Sequence, residues 1–191
     1  ERREGGESGV KWIKAYRGER FWKALSEKQW SRSLFDACLA RGHELTPSRA
    51  GFNHLFPTVD EMKHLVSDPW AYQYEHNDGL ICTMIAMNGL FGGSWAFAAD
   101  IEGNEQPLST YMHLPMPPKH TTLANFFSPQ VNKVEKMFLT GEASYPIERT
   151  LLTTGLTIAG LDSLQNNQSH IETPHLNICY DANPESTYWH T

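Results

Sequence analysis

The chain has 191 residues and a formal net charge of -6, with 40% apolar and 20% charged residues. That is a soluble, globular composition with enough chain for one domain and a real hydrophobic core. No apolar run approaches the roughly 20 residues of a spanning helix, and Lys and Arg cluster no further than pairs, which argues against a membrane segment and against nucleic-acid binding through a basic face.

The opening, ERREGGESG, is polar and glycine-bearing and begins at Glu1, as a domain boundary or a processed start would. Val10 to Tyr16 reads as a short strand stopped at Gly18. Ser26-Glu27-Lys28-Gln29 offers a capping box, behind which Trp30, Leu34, Phe35, Cys38 and Leu39 recur at helical spacing, with Gly42 placed to end the helix. A polar stretch runs from His43 to Pro57. Thr58 to Glu61 is a second capping box, opening a short helix that Asp68-Pro69 closes. Ala71 to His76 and Leu80 to Asn88 flank Asn77-Asp78-Gly79, a hairpin turn whose residues tolerate positive φ. Trp95, Phe97, Ala99 and Ile101 alternate with smaller or polar residues, as a half-buried strand does. After a turn at Gly103-Asn104, Leu108 to Leu114 is another strand, ended by Pro115, Pro117 and Pro118.

Leu123 to Leu139 reads as a helix with a break or fresh start at Pro129 and an end at Gly141. Pro146 opens a second, with a wide apolar face of Ile147, Leu151, Leu152, Leu156, Ile158, Leu161 and Leu164. Ile171 to Tyr180 is a last strand. The expected fold is α+β: one domain over 1–191, with a mostly antiparallel open sheet and helices packed on one face. Its second sheet face then needs cover, and a second copy of the chain is expected there.

Cys38, Cys82 and Cys179 form no C-x-x-C pair and sit among apolar neighbours. They read as buried free thiols of a reducing, cytoplasmic compartment. The nine histidines include no H-x-x-x-H or H-E-x-x-H pair, so no metal site is expected. Neither G-x-G-x-x-G nor G-x-x-x-x-G-K-[ST] occurs. Asn167-Gln168-Ser169 fits the glycosylation acceptor pattern. Five tryptophans, Trp12, Trp22, Trp30, Trp70 and Trp95, could stack on sugars, though core packing is expected of most.

Two segments bring chemistry to a helix start. In Pro118-Lys119-His120-Thr121-Thr122 a cation, an imidazole and two hydroxyls meet, which suits a carboxylate, phosphate or polyhydroxyl ligand. The alternative is a plain threonine cap with His120 in solvent. In Tyr145-Pro146-Ile147-Glu148-Arg149-Thr150, Glu148 complements the helix dipole, whereas Arg149 opposes it and needs another purpose. An internal salt bridge and a substrate contact are the alternatives. Lys119, His120, Tyr145 and Arg149 are the candidate substrate-binding residues.

The run MFLTGEASYPIERTLLTTGLTIAGLDSL (Met137 to Leu164), then HIETPHLNICY (His170 to Tyr180), resembles the end of a branch of the glucose–fructose oxidoreductase/inositol dehydrogenase family. GGESGVKWIKAYRG (Gly5 to Gly18) is similar to that branch's entry into its C-terminal domain, and YEHNDGLICTMIAMNG (Tyr74 to Gly89) fits a sheet hairpin there. The resemblance implies the substrate-side domain of an NAD- or NADP-dependent oxidoreductase, with a sugar, polyol or related hydroxy compound held against an N-terminal Rossmann domain. It implies a homo-oligomer through the sheet face, and a chain inactive without its dinucleotide-binding half. The alternative is a non-catalytic relative using the fold for ligand binding or assembly. The family's lysine in Glu-Lys-Pro is absent, and Gly5-Gly6 is followed by Glu7 and Ser8 without the Asp and His four apart, so no residue here matches the family's acid or base.

Overall fold

The computed structural model describes residues 5–45, 57–90, 95–112 and 127–181. Four strands, β1 (Val10–Arg17), β2 (Trp70–His76), β3 (Ile81–Ala86) and β6 (His170–Glu172), form a sheet in the order β3-β2-β1-β6. β4 (Trp95–Ala99) and β5 (Leu108–Met112) form a separate antiparallel pair. With helices α1 (Glu19–Ser26), α2 (Arg32–Leu45), α3 (Val59–Leu65), α4 (Ser128–Thr140) and α5 (Ile147–Gln165), this is the expected α+β fold, its strands divided between two sheets. No helix among the described residues is long and apolar enough to cross a membrane.

Contacts divide the chain into two compact units. Residues 16–45, 57–72, 83–90 and 95–112 belong to one. Its core gathers Tyr16, Phe21, Trp22, Leu25, Trp30, Phe35, Leu39, Met62 and Met87. The aromatic pairs are angled: Phe21 meets Trp22 edge-on at 5.1 Å, and Tyr16 meets Trp30 at 5.7 Å, the geometry that the ring quadrupole favours. α1 exists because Phe21, Trp22, Ala24 and Leu25 bury one side of a two-turn segment. This displaces the capping box expected at Ser26. That serine instead closes α1, its hydroxyl donating to Lys23 O at 2.7 Å. Lys28 then turns the chain at φ 57, and Ser31 Oγ accepts from Leu34 N at the start of α2. Gly42 does not end α2, which continues to Leu45. α2 packs on β4 and β5, and such packing outweighs the roughly 1 kcal/mol that an interior glycine costs. The capping box at Thr58 and Glu61 forms as expected, with both reciprocal bonds.

Residues 5–15, 73–82 and 127–181 belong to the other unit. Val10, Leu152 and Leu176 form its buried centre, with Tyr74, Leu156, Ile178 and Tyr180 packed against it. Ser163 ties α5 to β1, accepting from Ala15 N at 2.8 Å and donating to Ser169 O. α4 opens at Ser128 with Pro129 in its first turn, the fresh start expected there, and Gly141 ends it in the left-handed region at φ 74; the expected stretch from Leu123 to Phe126 lies outside the described residues. The predicted final strand, Ile171 to Tyr180, is shorter. β6 stops at Glu172, Thr173 turns inward to bond Val10 O and Lys11 O, and Pro174 opens a 3-10 turn to Leu176. Proline has no N–H to continue a ladder. Pairing resumes only at Tyr180, opposite Glu7.

Burial corrects two further expectations. Cys38 and Cys82 are only half-buried and Cys179 is exposed, all as free thiols. Burial still raises the Cys38 thiol above its ordinary pKa. Trp22 and Trp30 are core residues, whereas Trp95 stands out from β4 at 57% exposed.

Candidate functional site

Of the four candidate substrate residues, Lys119 and His120 lie outside the described residues. The other two come together. Tyr145 precedes α5, Arg149 is in its first turn, and the guanidinium lies 5.3 Å from the centre of the tyrosine ring. Thr150 Oγ1 approaches the tyrosine hydroxyl at 3.5 Å. Both Tyr145 and Arg149 are exposed. The ring face beside it helps offset the unfavourable dipole that a cation meets at a helix start.

A second cluster was not legible as such in the sequence. Glu7 and His76 are both buried, 5% and 7% exposed. Glu7 Oε1 accepts from Ser8 N at 2.9 Å, from Gly9 N at 3.1 Å and from His76 Nδ1 at 2.7 Å. Nδ1 also lies 3.1 Å from Gly9 O. Because that carbonyl can only accept, Nδ1 carries the proton, and in the neutral ring Nε2 is left as the acceptor. Gly9, at φ 80, makes the turn that lets the carboxylate reach forward over two residues. Asn77 fastens the same corner, donating Nδ2 to Ser8 O and N to Gly9 O.

A third group lines the sheet. Lys11 Nζ and Trp12 Nε1 donate to the two oxygens of Glu75 at 2.7 and 3.0 Å. Trp12 also packs on His170, ring centres 4.8 Å apart, and His170 bonds Glu172 at 2.8 Å. The Lys11 and Trp12 hydrogen bonds hold the Glu75 carboxyl below the usual range. The Arg17 hydrogen bond, with N···O distances of 2.9 and 2.6 Å, does the same for Asp68. Depressed carboxylates stabilise the fold at neutral pH, and the contribution fades as pH falls below about 4. Urea midpoints measured against pH should therefore fall less steeply in acid for Glu75→Gln and for Asp68→Asn than for the native chain. Parallel curves would show that neither pair contributes.

Among the described residues no group of three or more His, Cys, Asp or Glu side chains is placed to hold a metal ion. Comparison with family models, with characterised proteins and with solved structures finds no match to this chain.

Proposed function

We propose that the chain is the substrate-side domain of a cytoplasmic NAD- or NADP-dependent oxidoreductase acting on a sugar, polyol or related hydroxy compound. It works with a Rossmann-type dinucleotide-binding domain and assembles with copies of itself. The observation that supports the assembly part of this reading is the bare outer face of the β4–β5 pair, while the reaction class rests on the family resemblance alone. α2 packs on β4 and β5, yet Trp95, Phe97 and Leu108 remain 57%, 56% and 54% exposed. Large apolar side chains gathered on one strand pair call for a partner surface.

Helix α5 supports the same conclusion. It buries Leu152, Ala159 and Ser163 on one side. Ile147, Leu151, Ile158 and Leu161, which share the opposite side at helical spacing, are 48% to 72% exposed. The apolar face expected to be single and wide is thus two faces, of which the fold covers one. Tyr145 and Arg149 stand at the head of that helix. The family resemblance supplies the reaction class, and since the sequence holds no glycine-rich phosphate cradle, the reading requires a partner domain to hold the dinucleotide.

The test uses the whole natural polypeptide that carries these residues. Polyol-dependent reduction of NAD or NADP, lost in Arg149→Ala, is the expected result. An intact polypeptide that binds neither dinucleotide would overturn the oxidoreductase reading and leave assembly or ligand binding, which the bare faces equally suit. For the sheet face, Phe97→Glu should lower the light-scattering mass of the native oligomer. A monomeric native protein at micromolar concentration would refute that interface.

A further inference from the structure

The bare side of α5 has a definite period. Ile147, Leu151, Thr154, Ile158, Leu161 and Gln165 are all exposed, and successive members stand four, three, four, three and four residues apart. That alternation is the seam of a coiled coil, kept over about 27 Å of helix at 1.5 Å per residue. Leu152, Ala159, Gly160 and Ser163, which the fold buries, lie on the opposite side of the helix, so the seam takes no part in the internal packing. Such spacing specifies a helix as the occupant, because a strand would present side chains with a period of two. The buried side already holds α5 in shape, so pairing carries no cost of helix formation.

The groups beside the seam decide the occupant and its direction. Glu148 and Asp162 flank it on one edge, Thr150 and Thr157 on the other, all four exposed. An acidic edge disfavours an anionic lipid surface, for which interfacial helices carry Lys or Arg. Two copies of α5 set antiparallel bring like edges together, so that Glu148 of each copy meets Asp162 of the other and like charges face twice. Two copies set parallel place each acidic edge against the uncharged threonine edge of the other, and every aliphatic layer meets its own kind. We propose that α5 is a self-association seam, pairing parallel with α5 of a second copy and in register at Thr154. The same surface serves both chains, so the interface closes at two. It is separate from the β4–β5 face and rests neither on that interface nor on the oxidoreductase reading.

Thr154 supplies the test, because parallel pairing sets it against its own counterpart at the centre of the seam. The variants are made in the Phe97→Glu chain, so that the sheet face cannot supply the dimer. Thr154→Cys should give a disulfide-linked dimer under mild oxidation, and peptide mapping should place the bond between the two copies of residue 154 rather than at the exposed Cys179. Thr153→Cys, exposed but off the seam, should not link to itself. In sedimentation, Thr154→Leu should tighten the dimer about tenfold, the effect of one more buried aliphatic group, and Ile158→Glu should weaken it by as much. The gain in Thr154→Leu is an effect that misfolding would not produce. A Thr154→Leu chain that stays monomeric at high micromolar concentration overturns the proposal. So does a mixture of Thr154→Cys and Ile158→Cys chains that links 154 to 158 in preference to 154 to 154, the mark of antiparallel pairing. If residue 154 forms no link yet is shielded from thiol reagents in the whole natural polypeptide, another segment of that polypeptide covers the seam. Self-pairing through α5 is then overturned, while the sheet interface and the reaction class stand on their own tests.

Discussion

Gly9→Ala should cost about 3 kcal/mol or more of folding stability, read as a lower urea midpoint at unchanged slope. Two effects add. The residue sits at φ 80, where a side chain is strained, and its new Cβ would lie 2.5 Å from Leu176 O and 2.7 Å from Ile178 N. Both obstructing atoms are backbone, so no rotamer change relieves the clash. The substitution should also disturb the Glu7–His76 pair, because Gly9 supplies one donor to the carboxylate and one acceptor to the imidazole. Gly155→Ala is the natural control. Its Cβ would meet side-chain atoms of the buried Leu176 rather than backbone, so the leucine must shift within its pocket, a smaller cost than moving backbone, and alanine is the better helix former. If Gly9→Ala cost no more than Gly155→Ala, the close approach of residues 9 and 176 would be wrong.

Phe21→Ala should cost about 3–5 kcal/mol, the range for emptying a fully buried aromatic site. Phe21 is 0% exposed, and its ring lies 5.1 Å from that of Trp22 and 5.4 Å from that of Trp30. Truncation would remove two aromatic contacts as well as apolar area, and the bulky neighbours can collapse only in part. Phe21→Leu should recover more than half of the loss. The near-ultraviolet tryptophan signal should weaken in the alanine variant, because Trp22 and Trp30 would both lose a fixed neighbour. A loss under about 1 kcal/mol would mean that the aromatic cluster is not the centre of this unit.

The elements read most accurately from sequence are those whose signal is local. The Thr58 capping box needs four residues, the Asn77-Asp78-Gly79 turn needs three, and the helix end at Gly141 needs one residue free to take a positive φ. Local signals failed where a competing arrangement buried more. Ser26 has cap chemistry, but the aromatic face of α1 claims the residues before it. Gly42 has the character of a helix end, but contact with β4 and β5 carries α2 past it. The apolar run from Ile171 to Tyr180 looked like one strand until Thr173 found bonds to β1 that bend it.

The candidate site divides in the same way. Tyr145 and Arg149 are four residues apart across a helix start, so their meeting is a local matter that sequence spacing anticipates. The Glu7–His76 pair, the Glu75 cluster and the Ser163 tie each join segments more than sixty residues apart, and no periodicity encodes such distances. The α+β class, most element positions and the apolar strand face of Trp95 and Phe97 are written in the order of residues along the chain. Which nitrogen of His76 is anchored, which side of α5 is covered and which carboxylates are depressed were decided only by tertiary structure. The physical reason is that burial and hydrogen-bond geometry are properties of the neighbours that folding brings together, whereas propensity and spacing belong to the chain alone.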